Sequence, residues 1–509
     1  MILALLLACD PPPPPGELIF VRGGIIAPAG EGTPLADGRV YQDRAWTPGE
    51  TVEIGGITGT APVLAECAPL YQVTLGDVSR LIAMGGEAPD TALRWSPDGR
   101  WLGVGTYDGE LIVVDGWTGA VRARRKLTET LVKQVAWSPD SQTLYAAEQS
   151  PDALLYAMDP ATLQPRWTYA LSQEVERSTP PAGEDLYGVY SLPGAYGLVV
   201  LPSGELLVAA SHGWNRADGV RVNRARLLRL SPEGAVRGTF PADGPADAIF
   251  VEPRVSGDRL VLPINRSADG PPPSLPVGGV QILSLPDLQP VTSVTPEPLT
   301  PWFKTTFLWE AVALDEARLM LGLGDGRVQL IPLDGGETRT LTPGTPILHG
   351  EVPIAASVGF GLLHEGDAVF ITSNTNIPYG AATPDLRPPA AHPGENTLWV
   401  VGADGTPRWT WRGEQRLNGL SLGGDGHSLV VGAGHRPSDE RADLYGALIF
   451  DLDAPGASGA DHLRAVCNTA SPVFFRQALA ADGRLAVAEV PTQGADGGSV
   501  GRWQVTVFR

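Results

Sequence analysis

The sequence predicts an all-β protein built from a repeated unit of four short strands. Gly (62 residues) and Pro (48 residues) are abundant. They stand between short apolar runs, as is typical of strands joined by tight turns. Amphipathic stretches with helical spacing are scarce. The hydrophobic content of 43% is sufficient for a large buried core, so the 509 residues can form one large all-β body.

Two neighbouring segments carry the clearest repeat. Residues 92–127 and 134–169 both follow the order strand, turn, strand, turn, strand, turn, strand. Both contain Trp-Ser-Pro-Asp, at 95–98 and 137–140. This pattern resembles the blades of the WD-repeat-like β-propeller superfamily, and the resemblance implies four-stranded sheets arranged in a ring.

The first hairpin turn of the unit can be followed along the chain, and a short apolar strand follows almost every copy. The copies lie at 96–100, 138–142, 201–205, 255–259, 314–318, 364–368, 423–427 and 480–484. Their spacing is near the length of a four-stranded blade. The turns therefore predict a single β-propeller of eight blades, with seven as the alternative if one unit is irregular.

The closure of the ring is predicted from the last unit. Units one to seven show a second, outer turn, whereas the eighth reaches Arg509 after its third strand. Because proteins avoid an exposed sheet edge, we expect an N-terminal strand to complete this blade, with residues 70–75 and 79–84 as candidates. The propeller then covers 67–509, and 17–66 form an irregular N-terminal extension.

The first residues resemble a bacterial lipoprotein signal. Residues 1–8 read MILALLLA, and Leu6–Cys9 match a lipobox. The resemblance implies cleavage after residue 8, a lipid on Cys9, and a Pro-rich tether over 9–16 that holds the domain off the membrane. It places the protein in the cell envelope, on the periplasmic or cell-surface side. The lipid is then its sole membrane contact, since the apolar run is too short to span a bilayer.

Two cysteines remain besides Cys9. Exported thiols oxidise, so we expect a disulfide between Cys67 and Cys467. If 70–75 and 79–84 form a hairpin, both cysteines reach the same face and can meet. If 70–75 alone is the outer strand, we expect them at opposite ends. No Cys or His spacing typical of a structural zinc site occurs, and no metal site is predicted.

Charge and motifs narrow the function classes. A net charge of −20 repels phosphates, so no nucleic-acid partner is expected. No GxSxG elbow or dinucleotide fingerprint set between a strand and a helix occurs, and neither does HExxH or a Walker loop. No catalytic residue or cofactor is predicted. A monomeric binding or scaffold module for a protein, peptide or glycan is favoured. The alternatives are a lactonase-, hydrolase- or quinoprotein-like propeller enzyme at the channel mouth and an outer-membrane assembly scaffold.

The loops between second and third strands are the predicted functional elements. They are short in units one, two and five, and long at 211–225, 265–279, 373–396, 434–446 and 491–501. Long loops on a rigid scaffold often carry function. We expect a horseshoe wall around one mouth of the channel. Its candidate binding residues are His212, Trp214, Arg216, Arg266, Asn374, Tyr379, His392, His435, Arg436 and Tyr445.

The chemistry of this set favours an anionic or glycan-like ligand, or an acidic protein segment, because Arg and aromatic side chains anchor binding partners. The alternative is that the arginines pair with local carboxylates, namely Asp218, Asp269, Asp439 and Asp443. His212 and His435 share one register. In an eight-blade ring they lie on opposite blades, so we do not expect them to share a metal ion.

Lipidation of Cys9 is directly testable. Cells that express the wild type are expected to incorporate a palmitate analogue into the protein, whereas Cys9→Ser has no thiol to receive it. In-gel detection of the label after immunoprecipitation is the measurement. Equal labelling of both proteins, or a wild type that fractionates with soluble proteins, would contradict the prediction.

Overall fold

Four-stranded antiparallel sheets make up the body of the protein in the computed structural model. The structure describes residues 65–76, 91–178, 191–216, 218–265, 275–276, 278–299, 311–349, 351–372, 392, 394–434, 445–493 and 499–509, together with short strands between residues 18 and 60. Within these ranges, eight sets of strands follow one another along the chain, and each set is called a sheet below. One backbone pair, Gln149 with Gly194, joins the second and third sets at their inner edge.

The first seven sheets use their strands in chain order from one edge to the other, and the eighth ends on a strand from the N-terminal part of the chain. The first strands are Ala92–Trp95, Leu131–Trp137, Gly194–Val200, Ile249–Phe250 with Arg254–Ser256, Val312–Leu314, Val358–His364, Leu417–Leu422 and Val473–Leu479. The second strands are Trp101–Gly105, Leu144–Gln149, Leu206–Asn215, Arg259–Asn265, Arg318–Gly322, Asp367–Thr372, Ser428–Ala433 and Leu485–Glu489. The third strands are Glu110–Asp115, Leu154–Met158, Arg221–Leu230, Gly279–Ser284, Val328–Pro332, Thr397–Val401, Gly446–Asp451 and Trp503–Phe508. The fourth strands are Val121–Lys126, Pro165–Ala170, Val236–Phe240, Pro290–Val294, Arg339–Leu341, Pro407–Arg412, Leu463–Asn468 and, from the other end of the chain, Pro69–Gly76.

Helical structure is minor. The described residues contain two single turns of helix, Ser172–Val175 and Gly459–His462. No described helix is long and apolar enough to span a bilayer. The remaining short strands are Leu18–Ile19, Thr33–Pro34, Val40–Tyr41, Thr51–Ile54, Ile57–Thr60, Ala65–Glu66, Ile347–His349, Val352–Ile354, Thr492–Gln493 and Ser499–Val500.

The repeated Ser-Pro-Asp turn is stabilised by its own side chains. In the first sheet the Ser96 hydroxyl donates to Asp98 (2.6 Å), and the Asp98 carboxylate accepts the Arg100 amide. Gly99 takes the left-handed conformation that closes the turn (φ +68°). Ser138 and Asp140 repeat the side-chain bond at 2.6 Å. The motif is therefore local turn chemistry that starts the second strand.

The hydrophobic core lies between neighbouring sheets. Each of eight apolar clusters joins one sheet to the next, and one of them joins the last sheet to the first. That cluster packs Trp503 and Val505 of the last sheet against Leu93 and Leu102 of the first. All four are at most 1% exposed. Both faces of a sheet are thus covered by its two neighbours, the packing that a propeller requires.

The last sheet is assembled from both ends of the described chain. Pro69–Gly76 pairs antiparallel with Trp503–Phe508 as its outer strand. The other candidate segment, 79–84, lies outside the described residues. Arg484 connects this sheet to the first one. Its guanidinium is fully buried, donates to the carbonyls of Gly99 and Gly116, and lies 3.9 Å from the centre of the Trp117 ring.

The expected disulfide is present, but the geometric condition attached to it was wrong. Cys67 and Cys467 are bonded, with 4.7 Å between their Cα atoms, although Pro69–Gly76 is the outer strand. The missing element is the short strand Ala65–Glu66, which pairs in parallel with Leu463–Asn468 of the seventh sheet. This extra pairing carries the chain from the seventh sheet to the eighth and places Cys67 beside Cys467.

The disulfide is expected to stabilise the fold. Replacing both Cys67 and Cys467 by Ser should lower the free energy of unfolding by about 2–5 kcal/mol, because the cross-link restricts the unfolded chain. Urea unfolding under non-reducing conditions measures the difference. In a Cys9→Ser background, thiol titration of the unfolded, unreduced protein should find no free thiol. Two reactive thiols there would contradict the prediction.

Candidate functional site

The alternating strand directions define two faces. The turns between first and second strands share one end of the sheets. The connections between second and third strands share the other end, together with the links from each sheet to the next. We call this second end the upper face. It is the face to which the sequence assigned the candidate binding residues.

The segment 211–225 is a β-hairpin, and its prediction as a long loop was wrong. Leu206–Asn215 and Arg221–Leu230 stay paired as far as Asn215 opposite Arg221. A tight turn follows, in which the Arg216 amide donates to the Val220 carbonyl at 2.9 Å. The alternation of residue types that is typical of a strand therefore continues through this segment, which was assigned to a loop only because of its length. The third sheet has a long, rigid projection on the upper face.

His212 lies inside the base of this projection. Its side chain is 1% exposed, and its ring nitrogens lie 3.0 Å from the Val175 carbonyl and 3.2 Å from the Ser191 carbonyl. Trp214 stacks on the imidazole with 4.1 Å between ring centres. Burial lowers the pKa of His212. His212 therefore joins the hairpin to the neighbouring helical turn, and its nitrogens are already engaged.

Three other candidates are described, and each has a local explanation. At the tip of the hairpin, Arg216 forms an ion pair with Asp218, as the alternative interpretation of these arginines proposed. Tyr445 is 4% exposed. His392 is 1% exposed and accepts the Gly394 amide at 2.9 Å. The remaining predicted residues lie outside the described residues, namely Arg266, Asn374, Tyr379, His435 and Arg436, with Asp269, Asp439 and Asp443.

A polar cluster that sequence reasoning missed lies on the first strands of the second and third sheets. Both strands bulge near the upper face, at Lys133 and at Tyr196. Lys133 is 8% exposed, donates to the Gln149 amide oxygen (2.8 Å), and lies 4.2 Å from the centre of the Tyr196 ring. The Gln149 amide donates to the Tyr196 hydroxyl at 3.1 Å. Two bulges thus bring a buried cation and a phenol together.

Arg221 and Asn223, on the projecting hairpin, extend this cluster. Arg221 is half-buried, has no carboxylate partner among the described residues, and is close enough to Tyr196 to interact electrostatically. Burial lowers its pKa. Asn223 is 2% exposed, and its Oδ1 accepts no hydrogen bond from described residues. We call Lys133, Gln149, Tyr196, Arg221 and Asn223 the inner polar cluster.

Gly213 lies where this cluster is too crowded for a side chain. A Cβ at Gly213 would lie 2.5 Å from Arg221 Nη2 and 3.0 Å from Asn223 Oδ1. The absence of a side chain at position 213 therefore lets a guanidinium and an amide oxygen approach one point. Two weak features of the sequence point to this cluster. One is a lysine in an apolar strand, where the whole chain has three lysines, and the other is the alternation of polar residues after the hairpin turn.

Two buried carboxylates also lie at the upper ends of second strands. Glu148 accepts hydrogen bonds from Tyr156 (2.6 Å) and Ser150 (2.7 Å). Glu489, which is fully buried, accepts from Thr506, from Gln504 (2.9 Å) and from the Ser471 amide. Burial raises the pKa of both carboxyls. Their hydroxyl and amide partners make them internal anchors of the second and eighth sheets.

One group of potential metal ligands is found in the described part of the chain. Ligand atoms of His364, Glu365 and Asp453 all lie within 4.8 Å of one another. The group belongs to the face opposite the upper face, since His364 ends a first strand. Glu365 and Asp453 are exposed, and His364 contacts Asp453 at 3.5 Å. The contact between His364 and Asp453 accounts for this arrangement, so we assign no metal to it.

Comparisons with known proteins agree with the fold. Neither the protein-family models nor the curated proteins contain a match to this sequence. Among solved structures, the Dos1 propeller is similar with a TM-score of 0.51 and 11% identity, over 87% of this chain and 94% of that one. The computationally designed protein Ika8 has a TM-score of 0.50 and 15% identity, over 86% and 99%. The C-terminal WD40 domain of Sif2 has a TM-score of 0.48 and 10% identity, over 87% and 98%.

The likeness to the Dos1 propeller, together with the sheet order, confirms the predicted fold class. The chain has a β-propeller fold. At such low identities the likeness concerns the fold alone, and fold does not determine function.

The buried Glu489 is expected to make stability depend on pH. Because burial raises its pKa, the native state holds the proton to a higher pH than the unfolded chain does. The unfolding free energy of the wild type minus that of Glu489→Gln should therefore be largest below about pH 4.3, the pKa of an unfolded Glu. It should fall as the pH rises through the native-state pKa.

Urea unfolding of both proteins at several pH values measures this difference. Glu337→Gln, at an exposed position between two strands, is the matched control for a Glu→Gln change that alters no buried carboxyl. If the difference in unfolding free energy between the wild type and Glu489→Gln stays constant or grows with pH, the pKa of Glu489 is not raised in the native state.

Proposed function

We propose that this protein is a lipid-anchored propeller of the cell envelope that binds a protein, peptide or glycan on its upper face. The lipobox at Leu6–Cys9 supports the anchor, and the Pro-rich segment 9–16 supports a tether. The bonded cysteines Cys67 and Cys467 are consistent with an oxidising compartment. A binding role then needs a surface with groups that the fold itself leaves unpartnered.

The observation that carries the proposal is the unpaired cation of the inner polar cluster. The chain has a net charge of −20, yet Arg221 has no carboxylate partner within the described residues. Arg216, five residues earlier on the same hairpin, is paired with Asp218. A half-buried guanidinium without a counter-ion costs free energy unless a ligand supplies one. The same hairpin also carries the half-buried Trp214 ring, the kind of side chain that anchors partners.

Recovery of a partner from native membranes tests the proposal. The tagged full-length protein is cross-linked in its host, solubilised and purified, and co-purifying molecules are quantified. A variant in which a two-residue turn joins Gly213 directly to Asn223 lacks the end of the hairpin and Arg221. We expect it to lose its partner while its thermal unfolding midpoint stays within a few degrees of the wild type.

The control is Val291→Ala, which alters a 59% exposed side chain on an outer strand and should retain the partner. Equal recovery by the shortened hairpin and the control would move the binding surface away from the upper face. A wild type that recovers no molecule above an untagged background would contradict the binding function itself.

A further inference from the structure

We propose that the outer edge of the first sheet is a second docking surface, where an acidic, extended segment of a partner protein pairs as an additional β-strand. The edge is the fourth strand, Val121–Lys126, and we call it the basic edge. It lies on the outer rim of the molecule, so the inference goes beyond the binding function proposed for the upper face. The evidence is the backbone of this strand, its charge and the apolar residues at its start.

The backbone of the basic edge has a hydrogen-bonding side that the described strands leave open. Val121–Lys126 pairs with Glu110–Asp115 on one side, and no described strand pairs with it on the other. Such an edge offers N–H and C=O groups to an extended chain. The protein already has one such pairing, since Ala65–Glu66 adds a fifth strand to the outer edge of the seventh sheet. An outer edge in this fold can therefore accept another strand.

The side chains of the basic edge determine which charge a pairing strand must have. Four of its six residues are cations, in a chain whose net charge is −20. None of the outer strands of the other seven sheets has more than two cations. Charged residues on an edge strand also protect it against aggregation, but the other outer strands show that this protection does not require four. The excess favours an anionic partner.

Two of the four cations have no carboxylate partner within the described part of the chain. Arg122 is exposed and lies at a bulge near the start of the strand. Arg125 donates to the Leu163 carbonyl at 2.7 Å, so its hydrogen-bond partner is neutral. A carboxylate on a neighbouring strand would compensate these charges, as opposite charges do across a strand pair.

The other two cations are paired but accessible. Arg124 contacts Glu110 at 3.0 Å and Lys126 contacts Glu129 at 3.5 Å, with the cationic side chains 39% and 42% exposed. Exposed ion pairs contribute little, so they do not prevent contact with a further carboxylate. Alternate residues share one face of a strand, and Arg124 and Lys126 are such a pair. A partner strand with Glu or Asp at alternate positions therefore matches them.

The start of the basic edge adds an apolar anchor. Val121 is 45% exposed, and Trp117, in the turn before it, is 44% exposed. The Arg484 guanidinium lies against the Trp117 ring and positions it at the surface. Exposed Trp and Arg side chains are the types that dominate binding at protein interfaces. We therefore expect the acidic segment to carry an apolar residue at the end that reaches Val121.

An anionic membrane surface has the same charge but matches the edge less well. Lipid headgroups make no use of a row of backbone N–H and C=O groups, whereas an extended peptide pairs with them. The net charge of −20 also repels an anionic surface. We therefore assign the basic edge to a protein segment, and lipid binding is an outcome of the test that would contradict this assignment.

Fluorescence anisotropy with synthetic peptides and the detergent-solubilised full-length protein tests the inference. The probe is a short labelled peptide with Glu at alternate positions, Val and Thr between them, and a terminal Leu. One twin has Gln in place of each Glu, and two twins are N-methylated on alternate sets of backbone amides. We expect the Gln twin and one N-methylated twin to bind at least about tenfold more weakly, since charge and ladder donors are removed separately.

Variants of the protein locate the peptide on the basic edge. Arg122→Glu reverses an exposed charge, so it should weaken binding about tenfold and leave the thermal unfolding midpoint unchanged. Arg412→Glu, on the outer strand of the sixth sheet, is the matched control and should bind as the wild type does. The variant with the shortened hairpin should also keep the peptide, because the upper face takes no part in this contact.

A charge swap separates recognition from indirect effects. In a set of peptides that each carry one Glu→Lys change, at least one peptide should bind Arg122→Glu more tightly than it binds the wild type. A misfolded variant cannot gain affinity for a peptide of the opposite charge, so this gain would support direct contact. If every Glu→Lys peptide binds the variant no better than the wild type, Arg122 does not face the partner strand.

Several other results would overturn the inference. They are equal binding of the acidic peptide and its Gln twin, full binding by both N-methylated twins, full binding by Arg122→Glu, and retention of phosphatidylglycerol vesicles in place of any peptide. If the wild type binds no peptide but still recovers its membrane partner, the upper-face function survives and the basic edge alone is wrong. If the peptide binds and no membrane partner is recovered, the upper-face function alone is wrong.

Discussion

The junction between the last sheet and the first is the constraint on which the rest of the structure depends. Every sheet has two apolar faces, and each face is covered only by a neighbouring sheet. Without contact between the last and first sheets, two large apolar faces would be exposed to water. Exposing apolar surface costs roughly 25 cal/mol of free energy per Å². The strand Pro69–Gly76 and the buried Arg484 stabilise this junction. The disulfide ties the start of that strand to the seventh sheet.

Arg484 shows how a polar group can serve an apolar interface. Its charge is compensated by Asp482 at 2.7 Å, by two backbone carbonyls of the first sheet and by the ring of Trp117. A buried guanidinium is tolerated only when its donors are satisfied in this way. The residue therefore links the two sheets in one register, since a shifted register would leave a charge without partners.

The same ring geometry creates the candidate site. Two first strands from different sheets approach each other near the upper face, and their bulges turn Lys133 and Tyr196 out of the ladder and toward each other. The hairpin of the third sheet then adds Arg221 and Asn223. Residues from four separate strands thus form one cluster, and the absence of a side chain at Gly213 gives the Arg221 guanidinium its place beside Asn223.

The sequence by itself determined the features whose causes are local. The Ser-Pro-Asp turns recur because a serine, an aspartate and a left-handed residue close a hairpin with their own hydrogen bonds. The apolar run after each turn predicts a buried strand, and the repetition predicts the propeller. Only the tertiary structure decided which distant residues meet. The strand Ala65–Glu66, the buried state of His212 and the unpaired Arg221 depend on contacts between segments far apart in the chain. Such contacts follow from the packing of whole sheets, and no short stretch of sequence encodes that packing.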